Sequence, residues 1–261
     1  MSARRLLAAH TVLIYLFLYL PILVLVVFSF NAARQTAVWE GFTLDWYRRL
    51  AANERLLGAL RNSLLVAGIT TATATLLGTL AALALERYRF RGRGSTDVAL
   101  FLPVILPDVV LGAALLTFFG AVGLRLSIWT VAVAHVVFSV SYVAIVVRAR
   151  LAGLDPSLEE AARDLGAGPF EIFRRVTLPL ILPGVVASAL LVFTLSIDDY
   201  VVTSFVAGVG ATTLPLHIYS MLKLGVTPEV NAVSTLLLAG TVVLIVAAHH
   251  LMQSETRRDE S

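Results

Sequence analysis

Apolar residues fill six long stretches of this chain, and charged residues gather in the intervals between them. The stretches run at about 11–30, 63–85, 98–124, 126–147, 180–207 and 233–252. Each is as long as the roughly 20 residues a helix needs to cross the hydrocarbon of a bilayer. Only Gly123 to Arg125 separates the third stretch from the fourth. Together they are too long for one crossing, because a helix rises about 1.5 Å per residue. The expected fold class is therefore an all-α membrane protein. It has six transmembrane helices in a single domain, residues 1–261.

Composition agrees with that pattern. The chain is 58% hydrophobic and 14% charged, with a mean hydropathy of +0.87; soluble domains carry far more charge. It has no cysteine. A disulfide framework, a thiolate metal site and a thiol nucleophile are thereby excluded. Arg4 and Arg5 precede the first apolar stretch as in a signal peptide. That stretch is too long for a signal core and no small-x-small site follows, so it reads as a retained anchor.

Charge distribution predicts orientation. With the N-terminus inside, the inner segments hold Arg4, Arg5, Arg87, Arg89, Arg91, Arg93, Arg148, Arg150, Arg163, Arg174, Arg175, Arg257 and Arg258. The outer segments hold Arg34, Arg48, Arg49, Arg55, Arg61, Arg125 and Lys223. The excess lies on the inner side, which places both termini in the cytoplasm. The outer loop 31–62 is amphipathic and carries Trp39, Trp46 and Tyr47; a short interfacial helix is expected near 44–60. The segment 210–222, with Pro215 and His217, reads as re-entrant. His135 reads as a hydrogen-bonded packing residue, and His249-His250 as interfacial.

The interval 160–179, EAARDLGAGPFEIFRRVTLP, holds three acids, three arginines, two glycines and two prolines. It cannot lie in lipid and must be a folded polar loop. Just before it, Asp155-Pro156-Ser157 supplies a capping acceptor and a proline for a helix start. Leu158, Ala161, Ala162 and Leu165 then share one helical face, with Glu159, Arg163 and Asp164 on the other. Gly166 and Gly168 permit a sharp turn. A second helix starts at Pro169 and includes Phe170, Ile172 and Phe173. The chain re-enters the membrane at Leu178-Pro179. On periodicity alone this is equally an amphipathic connector on the lipid surface.

Three acids interrupt the apolar stretches: Asp108, Asp198 and Asp199. Facing lipid each would cost several kcal/mol, so they should face a wet interior. In a straight third span, Asp108 falls about 15 Å in, near the midplane, and Asp198 about 25 Å from the inner end of span five. Two carboxylates at different depths suit a thin polycation, and Trp46 or Tyr47 would hold an ammonium by cation–π contact. Asp199 is about 100° round the helix from Asp198 and aligns with Thr203, as a cap or as a contact to a partner subunit. Each residue also has a plainer reading. Pro107-Asp108 is then a helix break, Asp198-Asp199 a helix end in headgroup water, and Trp46 an interfacial anchor.

The order Glu160-Ala161-Ala162, Gly166, Val176, Leu178-Pro179 resembles the signature loop of binding-protein-dependent ABC importers, with valine where isoleucine is usual. The resemblance implies a type I ABC importer permease (MetI-like) fold whose cytoplasmic coupling helix docks in a cleft of an ATPase. Glu160, Ala161, Ala162, Gly166, Leu178 and Pro179 are then the coupling residues. Small Ala161 and Ala162 allow close approach, and Gly166 permits the bend. Glu160 pairs with a basic group on the ATPase or caps the local fold. Further strings resemble the second permease subunit of spermidine/putrescine importers. They are FSFN at 28–31, GFTLDWYRRL at 41–50, NSLLVA at 62–67, RYRFRGR at 87–93, PDVVLG at 107–112, LSIDDYVVTSFV at 195–206, TLPLHIYSML at 213–222 and NAVST at 231–235. That branch implies a polyamine cargo and a pathway that uses Trp46, Asp108 and Asp198. Its relatives also move opines, aminophosphonates, other organic cations and iron.

The same resemblance implies partners and location. They are a second permease subunit in a heterodimer, two copies of a cytoplasmic ATPase, an outer substrate-binding protein and the surrounding lipid, with no nucleic acid. The chain lacks the G-x-x-x-x-G-K-[ST] phosphate loop. It is then no enzyme and carries no cofactor, with ATP and Mg held by the ATPase. The expected location is the bacterial cytoplasmic (inner) membrane, as a multi-pass protein. An intramembrane aspartyl protease needs Gly-x-Gly-Asp, whereas Gly208-Val209-Gly210 is followed by Ala211. A secondary transporter or channel has no use for the 160–179 loop.

Overall fold

The computed structural model describes residues 3–33, 38–225 and 227–258, from 244 onward as backbone. Arg34 lies outside the described residues, as do the side chains of Arg5, His249, His250, Arg257 and Arg258. The described residues form helices and connecting segments without a strand, and one isolated bridge pairs Asn31 with Phe42. Two compact units divide the chain: residues 1–57 with 217–261, and residues 58–216.

In the first unit, α1 (Ala3–Phe28) and α2 (Asp45–Ala51) both pack on α12 (Pro228–Arg258), which follows α11 (Leu214–Leu224) in the chain. Apolar side chains of α1 such as Leu13, Phe17 and Leu20 are exposed, as a lipid-facing helix requires. Beyond α1 the chain closes a polar loop on buried Asn31. The Asn31 side-chain oxygen accepts from the Ala33 and Glu40 N–H groups at 3.3 and 3.0 Å, and its amide donates to the Val38 carbonyl at 2.7 Å. The helix expected over 44–60 divides in two. α2 stops at Ala51, and the Asn53 side chain then accepts from the Arg55 and Leu56 N–H groups, both at 3.1 Å. That cap starts α3 (Glu54–Arg87), so the second half of the expected interfacial helix extends a span instead.

The second unit is built around α6 (Ile128–Ala152), which packs on α4 (Arg93–Ile105), α9 (Leu178–Asp198) and α10 (Val201–Val206). Phe119, Val131, Ala134, Val202 and Val206 form one core, and Ala74, Val143, Val147, Ile181 and Val192 another. Close packing uses small residues. A Cβ on Gly78 would stand 2.5 Å from the Val143 Cβ.

Four helices are long and apolar enough to cross a bilayer: His10–Phe28, α3, α6 and Pro169–Asp198. The stretch expected as one straight span at 98–124 is two helices, α4 and α5 (Asp108–Ala121), bent by 114°. Pro107 is the cause. It lacks an N–H and holds Leu106 in extended backbone at ψ 138°. Straight-helix arithmetic therefore does not measure the depth of Asp108. α12 carries a shorter apolar stretch, Pro228–Val243.

The fifth apolar stretch also differs from expectation. Its helix begins at Pro169 and continues through Leu178-Pro179 to Asp198 as one span. Pro179 cannot donate to the carbonyl four residues back, and its ring crowds that group. The chain passes it by a π turn, Phe173–Thr177, in which the Leu178 N–H reaches the Phe173 carbonyl. At the other end the chain breaks after Asp198 and resumes as α10.

Gly208 lies where the segment after α10 meets the start of α6. A Cβ there would stand 1.8 Å from the Leu126 carbonyl oxygen. Gly208→Ala is expected to destabilise the protein by about 1–3 kcal/mol, the usual range for overpacking. The unfolding midpoint in detergent measures it, and an unchanged midpoint would contradict this packing.

Candidate functional site

The polar loop folds as its sequence predicts at both ends of its first helix. The Asp155 carboxylate accepts from the Ser157 N–H at 2.9 Å and starts α7 (Ser157–Asp164). The Ser157 backbone and side chain hold the Asp155 carboxyl below the usual carboxylate range. That cap is in place above the ordinary value of about 3.9 and is lost as pH falls through the lowered one. After α7, Gly166 takes φ +86°, and the Ala167 N–H bonds the Ala162 carbonyl at 3.1 Å. This is the left-handed helix stop that glycine serves best. Gly168 has an ordinary φ of −73°.

The two faces of α7 are the reverse of a free amphipathic helix. Leu158, Leu165 and Phe170 are 47%, 89% and 75% exposed. Glu160 and Ala161 are exposed beside them, while Ala162 is half-buried. Glu159, expected on the outer polar side, turns inward. Its Oε1 accepts from the Arg87 guanidinium and from the Thr177 hydroxyl, and Arg87 also donates to Thr177 at 2.9 Å. The acid finds partners inside the chain, and the leucines find none. Leu178 packs half-buried against the core, and Pro179 is exposed. Neighbouring arginines fasten the same end. Arg148 bonds Asp97 and lies 3.6 Å from Glu86, and Arg150 donates to the Leu180 carbonyl at 3.1 Å.

A second site forms where two helices break. Asp108 is the first residue of α5 and Asp198 the last of α9. Both line one cavity of about 320 Å³, with Phe138, Tyr142, Thr194 and Tyr200. Neither carboxylate has a hydrogen-bond or ion-pair partner among the described residues. The structure thus joins in one cavity two acids that straight-helix arithmetic set at different depths.

Asp199 lines the same cavity but is engaged. It accepts from the Val202 and Thr203 N–H groups at 3.3 and 2.8 Å and from the Thr203 hydroxyl at 2.7 Å, capping α10. The helix ends between Asp198 and Asp199 and both line the cavity, so the step of about 100° expected around a continuous helix does not separate them. His135 is fully buried behind it. Nε2 lies 3.2 Å from the Asp199 carboxylate and 2.9 Å from the Thr203 hydroxyl, and Nδ1 lies 2.7 Å from the Ser196 hydroxyl. In the neutral ring Nε2 carries the proton, since a carboxylate only accepts. Three acids line the cavity, and two of them are free for a ligand.

Trp46 belongs to the other unit. Its Nε1–H donates to the Asn31 carbonyl at 2.8 Å, and the Arg49 guanidinium lies 5.0 Å from its ring centroid. Both of its recognition features have partners within the loop that Asn31 organises. Sequence reasoning assigned no role to two residues that hold a distant segment, Asn62 and Ser63. The Asn62 amide donates to the Gly210 and Thr212 carbonyls, both at 3.0 Å, and the Ser63 hydroxyl accepts from the Leu214 N–H at 2.8 Å. No local pattern signals contacts across some 150 residues.

Residues 74–253 match the family described as "Binding-protein-dependent transport system inner membrane component". The chain belongs to this family. The permease is 44% identical over 257 residues to the spermidine/putrescine transport system permease protein PotC of Escherichia coli (strain K12), covering 98% of this chain and 97% of that one. It is 42% identical to the putrescine transport system permease protein PotI of the same strain, covering 91% and 87%. A putative 2-aminoethylphosphonate transport system permease protein of Salmonella paratyphi A is 30% identical, covering 90% and 89%. Among solved structures, a bacterial ABC transporter for alginate import matches with TM-score 0.74 at 18% identity, covering 95% of each chain. The MetNI methionine transporter matches with TM-score 0.64 at 19%, covering 82% and 99%. The fold of this permease is that of ABC importer membrane subunits.

His135→Ala is expected to cost about 1–3 kcal/mol, because it leaves buried hydroxyls and the Asp199 carboxylate short of a partner. Thermal unfolding of the detergent-solubilised permease measures this, and a midpoint equal to the parent would refute the assigned bonding.

Proposed function

We propose that this permease forms half of the transmembrane pathway of an importer driven by a separate ATPase, and that its cargo is a polyamine such as spermidine or putrescine. The observation that carries the cargo is the cavity of Asp108 and Asp198. Two unpartnered carboxylates and three aromatic rings suit ammonium groups on a slender chain, by charge and by cation–π attraction. The spermidine/putrescine and putrescine names of the two relatives above support the same cargo. An aminophosphonate is the second reading, from the 30% relative. No Arg, Lys or His lines the cavity to meet its anionic group.

The remaining parts of the reading follow from the loop. The exposed ridge of Leu158, Leu165 and Phe170 supports docking of α7 in an ATPase cleft, with Glu160, Ala161, Ala162 and Gly166 at the contact and Leu178 and Pro179 behind it. Two ATPase copies bind ATP and Mg, a sister permease completes the pathway as a heterodimer, and an outer binding protein delivers cargo. Six crossings with both termini in the cytoplasm agree with the arginine bias. Trp46 serves the outer mouth by shaping its loop.

The test is uptake by proteoliposomes that hold the full complex and labelled spermidine or putrescine. ATP-driven uptake is expected. Asp108→Asn and Asp198→Asn should each raise the apparent KM by about ten- to a hundredfold, as loss of a charge-assisted bond of about 1.5–3 kcal/mol requires. Uptake of 2-aminoethylphosphonate in place of polyamine would remove the cargo. In the same system Gly166→Pro or Glu160→Lys should abolish uptake while the permease still inserts, and normal uptake would remove the coupling role.

A further inference from the structure

Three side chains that no motif joins meet beneath the exposed loop. Arg87 is the last residue of α3, Glu159 lies in the first turn of α7, and Thr177 closes the π turn. Their hydrogen bonds form a closed ring. Arg87 donates to Glu159 and to Thr177, and Thr177 donates to Glu159. Thr177 is completely buried. None of the residues of α7 is buried. Beside the ring, a cleft of about 710 Å³ separates α7 and α8 (Pro169–Ile172) from the end of α3; Leu80, Tyr88, Arg163 and Phe173 line it. A helix so lightly packed has room to shift, and the ring is the polar attachment that makes its neighbours shift with it.

The two helices attached to this ring both lead to the functional end of the unit. Thr177 belongs to the continuous helix Pro169–Asp198, and about 30 Å along it Asp198 lines the acid cavity. Arg87 ends α3. About 35 Å back along α3, Asn62 and Ser63 hold the 210–214 segment through three backbone groups. Helices of this kind transmit a displacement along their axes with little loss, since packed interiors deform little.

We propose that Arg87, Glu159 and Thr177 are positioning residues for transport: a clamp that passes movement of α7 into α3 and into the helix bearing Asp198. The clamp rests on the importer reading above. Its chemistry favours this role over simple stability. A charge-assisted ring at the membrane edge is stronger and more directional than apolar contact, and its hydroxyl both accepts and donates. The π turn at Thr177 places the join where the helix ladder changes register.

The experiment compares uptake per ATP hydrolysed in proteoliposomes of the full complex with labelled spermidine and its binding protein. Glu159→Gln and Thr177→Val are expected to lower that ratio about tenfold, inside the range usual for coupling between sites. The ATPase should stay bound and hydrolysis should continue. The charge exchange Arg87→Glu with Glu159→Arg is expected to recover most of the ratio. A ratio within about twofold of the parent in both single variants overturns the clamp and leaves the importer reading standing. So does loss of the ATPase from the Glu159→Gln complex, which assigns Glu159 to docking. A ratio that stays low in the charge exchange assigns the loss to local misfolding and counts against the clamp. A parent complex with no ATP-driven uptake sinks the importer reading itself.

Discussion

A chain that is 58% hydrophobic has lipid around most of it, and in lipid an unpartnered polar group costs several kcal/mol. The places where its helices stop are therefore the places where polar groups have been provided for. Pro107 ends α4, and Asp108 begins the next helix at the rim of a cavity. The chain breaks after Asp198, and Asp199 immediately caps α10 and engages His135. Pro179 forbids one ladder bond, and a π turn supplies another. Each of these three interruptions comes with a polar group or a substitute bond.

That economy separates structural acids from available ones. Asp199 and Asp198 are neighbours in sequence and opposites in environment. One is tied to backbone N–H groups, a hydroxyl and a buried imidazole; the other is exposed to the cavity without a partner. Asp108 joins the second class. The same division applies in the polar loop, where Glu159 is held by Arg87 and Thr177 while Glu160 is exposed beside the apolar ridge of Leu158 and Leu165. An acid already bonded inside the chain shapes the protein, and an acid left open is available to a ligand or a partner.

Several arginines of the inner-side excess read from the sequence also work individually. Arg87, Arg148 and Arg150 tie the ends of α3, α4, α6 and α9 to one another through carboxylates and carbonyls. Charge bias across a membrane and local fastening use the same residues, since the loop side of a helix bundle is where a guanidinium stays hydrated while reaching a partner.

Local pattern was enough for much of this. Apolar runs foretold the helices, Asp155-Pro156-Ser157 the start of α7, and Gly166 the turn after it. These depend on residues within one or two turns of one another, and so a single sequence carries them. The signature spacing over 160–179 likewise marked the family to which residues 74–253 belong. Other features needed the folded chain. The 114° bend at Pro107 gathers Asp108 and Asp198 into one cavity, and no count of residues along a straight helix does so. Glu159 turns inward because Arg87 and Thr177 wait there, 72 and 18 residues away. Asn62 reaches a loop 148 residues distant. Periodicity reports which face of a helix is apolar; which face meets the rest of the protein depends on partners that only packing brings within hydrogen-bond reach.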